Sequence, residues 1–314
     1  MIYKSLGNST QKISQLGFGC EPLGGTDWGD FSEAKVVQAV REAMERGINL
    51  FDTADIYGLG RSEKMLSYAL GEKRKDIVII TKFGVNWRLK KGEKRARTHY
   101  DSSPERVRKA LHDSLKRLRV ESIPIYMIHW PDPQTHIEVT MNELIKAKND
   151  GKIQHIGVSN FSEAQIKQAH SIEPLSCVEI PYNLIHRQVG MDIFSICEES
   201  KISILAYGPL AQGYLTGKYK NGVKFQTNDR RSILDHFKDK AMKSNHKVLI
   251  RLKELSEKYK CTPSNIALKW VLDSQSITSV IVGGKTVNQV KDNLNISNLQ
   301  LDNDDIISLT NIIN

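Results

Sequence analysis

The run Ile48-Asn49-Leu50-Phe51-Asp52, the amphipathic stretch from Glu63 to Leu70, and the run Ile77-Val78-Ile79-Ile80-Thr81 together decide the fold. Short apolar runs separated by an amphipathic segment read as strand, helix, strand, and such alternation means a parallel sheet. The pattern extends both ways from here. Upstream, Leu16-Gly17-Phe18-Gly19 reads as a strand. Ser32 to Arg46 reads as a helix, with Ser32 as N-cap, Val36, Val40, Ala43 and Met44 on one face, and Gly47 as the stop. Downstream, Pro104 to Leu118 is a helix with proline at its first position. Strands follow near Ile125–His129, Ile156–Ser159, Cys177–Glu179, Ile202–Tyr207 and Ser279–Val282. Helices fall near Val139–Asn149, Glu163–His170, Met191–Ser200, Lys247–Tyr259, Pro263–Asp273 and Val287–Leu294. Eight strands from Leu16 onward, with helices between them over about 280 residues, fit an α/β fold of the (β/α)8 TIM-barrel type. A doubly wound sheet is the alternative on pattern alone.

The ends carry additions. Ile2–Leu6 and Lys12–Ser14, joined through Gly7-Asn8, predict a β-hairpin before the barrel. Asp302 to Ile313 predicts a C-terminal helix. No linker, repeat or low-complexity tract interrupts the chain, so residues 1–314 read as one domain. Two connections are long: Phe83 to Ser103, with six basic residues against one Glu between Arg88 and Arg97, and Ala211 to Asp235. Long connections in a compact domain are usually functional, and in a barrel both would lie on the catalytic face.

Composition narrows the class. With 39% hydrophobic and 26% charged residues, the chain has core enough to be globular. No run of about 18 apolar residues predicts a membrane span, and the first residues lack a signal-peptide pattern. Both point to the cytoplasm. Cys20, Cys177, Cys197 and Cys261 show no metal-ligand spacing and read as reduced thiols. The net charge of +9 fits a basic surface or attraction of an anionic cofactor or substrate. No zinc-finger spacing, aromatic RNA-binding strand or basic helix supports a nucleic-acid partner. Gly17-Phe18-Gly19 is followed by Pro22 and Leu23 and lacks the dinucleotide-binding glycine fingerprint.

Four polar residues sit at or just past predicted strand ends. Asp52 closes the second strand, and Tyr57 lies five residues on. Lys82 closes the third, and His129 closes the fourth. Singly, each has a dull reading: Asp52 as a turn cap, Lys82 as an exposed strand end, His129 as a packed core residue, Tyr57 as surface. A barrel gathers all four around one mouth. Reducing a carbonyl by hydride leaves negative charge on oxygen, and a proton donor must meet it there. A tyrosine of ordinary pKa, about 10, is a poor partner at neutral pH. A neighbouring ammonium is expected to lower that pKa, with an aspartate holding the lysine charged and in place. A histidine can hydrogen-bond and orient the substrate oxygen.

These segments resemble a known family. Phe51-Asp52-Thr53-Ala54-Asp55-Ile56-Tyr57-Gly58, Thr81-Lys82, Ile128-His129-Trp130-Pro131 and Ile156-Gly157-Val158-Ser159-Asn160-Phe161 resemble, in order and spacing, signature segments of the aldo-keto reductase superfamily, most nearly its prokaryotic-type members. The resemblance runs from about Leu6 to Asn293. It implies an oxidoreductase with a bound nicotinamide, most often NADPH, and no metal. It makes Tyr57 the general acid, tuned by Lys82 and Asp52, with His129 orienting the carbonyl. It puts Ser159 and Asn160 on the carboxamide and Tyr207 under the nicotinamide ring. Gly208, Pro209, Leu210, Gln212, Gly213 and Lys218 then belong to a pyrophosphate-covering loop. Gly283, Lys285, Thr286, Gln289 and Asn293 belong to the stretch that meets the adenosine 2′-phosphate and adenine.

Two departures from the family pattern matter. Glu179 stands where many members have glutamine. A carboxylate there can still accept from the carboxamide, and it places negative charge near the ring; a solvated or salt-bridged glutamate that changes nothing is the alternative. Thr286 stands where an arginine often follows the lysine, which leaves NAD(H) as an alternative to NADP(H). For the substrate, Trp28, Trp87 and Trp130 are candidate pocket walls, each equally readable as structural. Cys20 and Glu21 are placed at the edge of the mouth. The basic stretch 88–97 reads either as a mobile, solvated loop or as an attractor of phosphorylated or nucleotide-linked sugars. Three functions stand open: reduction of an aldehyde, ketone or keto-sugar; oxidation of a sugar or polyol at the same site; and a cofactor-binding regulatory subunit of slow turnover. The sequence leaves the oligomeric state open.

Overall fold

Alternation of apolar strand and amphipathic helix closes on itself in the computed structural model, which describes residues 1–29, 32–89, 96–187, 191–219, 222–274 and 276–312. The strands are β1 (Tyr3–Ser5), β2 (Lys12–Ser14), β3 (Leu16–Gly19), β4 (Leu50–Asp52), β5 (Val78–Phe83), β6 (Val85–Arg88), β7 (Arg97–Tyr100), β8 (Ile123–Ile128), β9 (Ile153–Ser159), β10 (Cys177–Pro181), β11 (Ser203–Tyr207) and β12 (Ile277–Gly283). Eight of them, β3, β4, β5, β8, β9, β10, β11 and β12, form a closed parallel barrel in which β12 returns to pair with β3. The predicted (β/α)8 barrel is therefore the fold, and the doubly wound alternative is not. Antiparallel β1 and β2 make the predicted hairpin ahead of it.

The helices are α1 (Glu33–Glu45), α2 (Arg61–Leu70), α3 (Pro104–Leu118), α4 (Ile137–Asn149), α5 (Glu163–Ile172), α6 (Met191–Glu199), α7 (Asp239–Ser244), α8 (His246–Lys258), α9 (Pro263–Asp273), α10 (Val287–Leu294) and α11 (Asn303–Asn311). Their starts follow from local chemistry. The Ser32 and Ser103 hydroxyls accept from the backbone N–H of Lys35 and Arg106. Ser162 with Gln165, and Thr262 with Asn265, form reciprocal capping boxes.

Two apolar layers hold the barrel. Inside it, Leu50, Val78, Ile80, Ile125, Met127, Cys177, Leu205 and Ile281 pack together, and Leu6 and Ile13 of the hairpin join them. Each such aliphatic side chain contributes roughly 1.5–3 kcal/mol by leaving water. Gly157 keeps the interior from overfilling: a Cβ there would stand 2.7 Å from Met127 Cε and 2.9 Å from Cys177 Sγ. Outside the barrel, a larger cluster joins the strands' outward residues to the helices.

The structure corrects several boundaries. β4 begins at Leu50, not Ile48, because the Ile48 N–H is bound to Ala43 O at the end of α1. β8 and β9 begin earlier than predicted, since Ile123 pairs with Ile153. The connection from Phe83 to Ser103 is not a bare loop: β6 and β7 pair antiparallel, Val85 opposite Tyr100 and Arg88 opposite Arg97. The core of the basic stretch, 90–95, lies outside the described residues. The connection from Ala211 to Asp235 contains short 3-10 turns at Ala211–Thr216 and Arg230–Ile233, and α7 was not anticipated. Ile313, placed in the terminal helix, lies outside the described residues. All four cysteines are unpaired. Among the described residues no helix is long and apolar enough to cross a membrane.

Candidate active site

Along a strand every second residue faces inward, so the last inward positions are set by those beneath them. Leu50, Ile80, Met127, Cys177 and Leu205 belong to the barrel interior. Two residues further toward the C-terminal ends stand Asp52, Lys82, His129, Glu179 and Tyr207. On β9 the same step leads from Gly157 to Ser159. A ring of polar groups thus sits on an apolar plug, at the face where barrel sites occur.

Asp52, Lys82 and Glu179 meet at the centre of that ring, each 4% exposed or less. The Lys82 ammonium donates to Asp52 Oδ1 and to Thr53 O at 3.2 Å. Glu179 Oε2 lies 3.2 Å from Nζ on the other side. Tyr57 comes from the turn after β4. Its ring centroid is 5.6 Å from Lys82 Nζ and 5.7 Å from that of His129, edge-on at 84°. The sequence-predicted four therefore converge, with Glu179 as a fifth member.

The turn that carries Tyr57 is fixed by a glycine pair. Gly58 has φ +59, and a Cβ there would stand 2.1 Å from Gly24 O. A Cβ at Gly24 would stand 2.8 Å from Gly58 N. Only two glycines allow these backbones to touch. Gly24 was not anticipated, and no local signal marks it.

Electrostatics departs from the expectation in one respect. Burial works against the Lys82 charge, but Asp52 and Glu179 more than offset it and hold its pKa above the ordinary value. Burial, then the charges of Asp52, Glu21, Glu179 and Tyr207, pushes the Tyr57 phenol well above its usual pKa. Burial and these negative charges outweigh the lowering expected from Lys82. Tyr57 is thus a neutral phenol. His129 is neutral too, held down by burial and by the charges of Lys82 and Arg230. Its Nδ1 is buried without a hydrogen-bond partner among the described residues.

The predicted carboxamide contacts are tied into the protein itself. Asn160, at φ +62, donates from Nδ2 to His129 O at 2.9 Å and to Ser159 Oγ at 3.1 Å. Its Oδ1 accepts from the Tyr207 hydroxyl at 2.8 Å. One amide thereby links β8, β9 and β11 around the ring.

The predicted phosphate segments lie at the ends of β11 and β12. After Tyr207 come Gly208 (φ +63), Pro209 and Leu210, and then left-handed backbone at Ala211, Gln212 and Gly213. Lys218 is exposed, its ammonium 4.9 Å from the Tyr219 ring centroid. After Gly283, Lys285 donates from Nζ to Trp28 O at 2.8 Å, and its backbone N–H donates to Gln289 Oε1 at 2.7 Å. Thr286 caps α10, and Asn293 is buried on that helix. Burial, then Arg231, lowers the Lys285 pKa.

The tryptophans divide. Trp28 sits with Lys285 and with Asp229, its bridge partner, under the Arg231 guanidinium. That is beside the predicted phosphate segments. Trp87 on β6 stacks with Arg106 at 4.9 Å, and Trp130 lies 6.2 Å from Tyr100 of β7. Of the two residues after β3, Cys20 is buried core. Glu21 does edge the mouth, paired at 2.7 Å with Arg230. Arg230 was missed, because its partner is 209 residues away and nothing local announces the pair. Among the described residues no group of His, Cys, Asp or Glu is placed to hold a metal ion.

A parallel barrel with a buried lysine–carboxylate centre, a neutral phenol and a neutral imidazole at its C-terminal mouth defines a class of barrel enzyme suited to proton transfer on a small polar molecule. The sequence profile of the aldo/keto reductase family matches residues 15–314, and the chain belongs to that family. It is 30% identical to the aldo-keto reductase YhdN of Bacillus subtilis (strain 168), over 100% of this chain and 94% of that one. It is 33% identical to a probable aldo-keto reductase 1 of Glycine max, over 96% and 86%. The glycerol dehydrogenase of Gluconobacter oxydans superposes with a TM-score of 0.90 at 33% identity, covering 99% of this chain and 94% of that one. The holo form of an aldo-keto reductase from Bacillus halodurans gives 0.81 at 25% identity, covering 99% and 96%. Members of the family are oxidoreductases of carbonyl and alcohol groups that use a nicotinamide cofactor, typically NADP(H).

Proposed function

We propose that this protein reduces an aldehyde, ketone or keto-sugar to the alcohol with NADP(H), and that Tyr57 is the general acid. The observation that carries the reading is the meeting of Asp52, Lys82, Tyr57 and His129 at one mouth. The nicotinamide, when bound, supplies or takes up the hydride. Tyr57 donates its phenolic proton to the carbonyl oxygen, and in reverse it accepts the alcohol proton. Lys82, kept charged by its carboxylates, stabilises the phenolate left behind. Neutral His129 hydrogen-bonds the substrate oxygen and orients it.

The chain fits such a cofactor. Trp28 Nε1 is buried without a hydrogen-bond partner among the described residues, and Glu179 Oε2 has none there beyond the Lys82 ammonium. One stands beside Lys285, where we assign the 2′-phosphate, and the other beside the proposed nicotinamide site at Ser159, Asn160 and Tyr207. Gly208, Pro209, Leu210, Gln212, Gly213 and Lys218 would cover the pyrophosphate, and Gly283, Thr286, Gln289 and Asn293 the adenosine end. NAD(H) is the alternative, with Lys285 the sole ammonium assigned to that phosphate. Trp87 and Trp130, with Tyr100, are the proposed substrate wall. Residues 1–314 act as one domain in this reading. A cytoplasmic setting suits the unpaired thiols.

A second reading, oxidation of a polyol or sugar, is favoured by the likeness to a glycerol dehydrogenase. The two are separated by following absorbance at 340 nm, with NADPH and a panel of aldehydes and keto-sugars, and with NADP+ and polyols. Faster turnover in the first assay supports reduction. Turnover only in the second supports the alternative. Unchanged turnover by Tyr57→Phe sinks the mechanism in either direction.

A further inference from the structure

Lys82 has two carboxylates, and the four residues at the mouth supply one of them. Asp52 comes from β4, beside Lys82 in the sheet, and Glu179 comes from β10, three strands away around the barrel. The ammonium is buried between them, 1% exposed at its side chain, with Asp52 at 6% and Glu179 at 4%. Apart from that ammonium, Glu179 Oε2 has no hydrogen-bond partner among the described residues. One cation facing two anions in a dry site leaves a surplus negative charge, which burial penalises. The site relieves it by keeping a proton.

We propose that Glu179 is a positioning residue that acts through Lys82: it shares the ammonium with Asp52, and its gain or loss of one proton switches the centre beneath Tyr57 between neutral and negative. The proposal rests on the reading of Tyr57 as the proton donor. The groups facing Glu179 are Lys82 on β5, Asp52 on β4, Tyr57 in the turn after it, Tyr207 on β11 and the Cys177 thiol on its own strand. Of these, the Asp52 charge opposes ionisation and the Lys82 charge favours it. Burial first, then Asp52, pushes the Glu179 carboxyl up to about 8. Burial raises the Asp52 carboxyl as well, so at neutral pH the two carboxyls share one proton beside the Lys82 ammonium and the centre has no net charge. Above that pH the shared proton leaves for solvent and the centre becomes negative. A negative charge beside Tyr57 disfavours the phenolate formed when the phenol gives up its proton, so reduction weakens as the pH rises.

The sign for stability is fixed by the same shift. A glutamate in the unfolded chain releases its proton at about 4.3. Between there and about 8, the folded protein holds a proton that the unfolded one has lost, so Glu179 stabilises less as pH rises through this window. Glutamine, a neutral isostere, abolishes that dependence.

Two measurements test the proposal. The first uses the apoprotein and needs no turnover: melting temperatures of wild type and Glu179→Gln from pH 5 to 9. The difference should move in favour of the variant by about 3 °C or more between pH 5 and 8. A difference constant across the range overturns the proposal. If Glu179→Gln does not fold, Asp52→Asn serves instead. With Asp52 neutral, Glu179 becomes the only carboxylate on Lys82, and the fall in stability should shrink and end at a lower pH than in wild type; a fall of unchanged size and range overturns it. The second measurement is kcat against pH with NADPH and 4-nitrobenzaldehyde, each enzyme normalised to its own maximum. The wild-type fall above pH 8 should be lost in Glu179→Gln with aldehyde KM little changed. Coincident normalised profiles overturn the proposal. Turnover by Tyr57→Phe reports separately: full activity there defeats the assignment of Tyr57, whatever the melting series shows.

Discussion

Thr81 and Lys82 are neighbours on β5, and they face opposite sides of the barrel wall. On the outer side, the Thr81 hydroxyl donates to Glu63 Oε1 at 2.6 Å, and Arg117 Nε donates to Glu63 Oε2 at 2.5 Å. There one cation meets one anion, Glu63 is fully buried, and both its oxygens are occupied. On the inner side, one ammonium meets two carboxylates, and a tyrosine and a histidine stand above it. The Glu63–Arg117 pair is balanced in charge and sealed from the mouth, and it holds α2, α3 and β5 together. The inner one is unbalanced and opens on the mouth, so it can take up, hold or release a proton. Buried charge by itself therefore does not mark an active site; unbalanced charge beside an opening does.

The comparison predicts where mutations act. The largest effect belongs to Tyr57→Phe, which removes one hydroxyl from the inner side. We expect kcat to fall about 10²–10⁴-fold in steady-state assays with the melting temperature little changed. A large loss of stability instead would make Tyr57 a structural residue. On the outer side, Arg117→Met leaves Glu63 buried and unpaired. That should cost about 3–5 kcal/mol in denaturant titration, with kcat per folded molecule retained. Loss of turnover at full stability would erase the distinction between the two faces. Gly58→Ala sits between the categories. Backbone strain of about 1–3 kcal/mol is expected, together with lower kcat, because relief of the contact with Gly24 moves Tyr57. The smallest effect should come from Lys285→Ala, away from both clusters: NADPH affinity weakened about tenfold (~1.4 kcal/mol) with NADH affinity little changed, read by fluorescence titration. Equal loss for both cofactors would remove the phosphate from Lys285.

Much of this was legible in the chain. Pro104 and Pro263 by their fixed backbone, and Thr286 by its capping hydroxyl, favour helix starts, so α3, α9 and α10 begin where the sequence puts them. Strand boundaries were less legible. Ile123 and Ile153 join strands because they pair with each other, and that pairing is set by the sheet and not by either segment. The hairpin of β6 and β7 was missed for a related reason: Val85-Asn86-Trp87-Arg88 alternates for only four residues, Arg97-Thr98-His99-Tyr100 does not alternate, and their pairing supplies the structure.

The sequence by itself determined the barrel and brought Asp52, Lys82, Tyr57 and His129 to one face, because strand periodicity and strand ends are local properties. It also singled out Glu179 as an oddity. Only the tertiary structure decided what that oddity touches. Glu179 lies 97 residues beyond Lys82 in the chain, and closure of the barrel brings its carboxylate within 3.2 Å of the ammonium. The same closure joins Glu21 to Arg230 and Gly24 to Gly58. It also reversed the expected shift of the Tyr57 phenol, because a pKa depends on every charge within reach and on burial, and neither exists until the chain has folded.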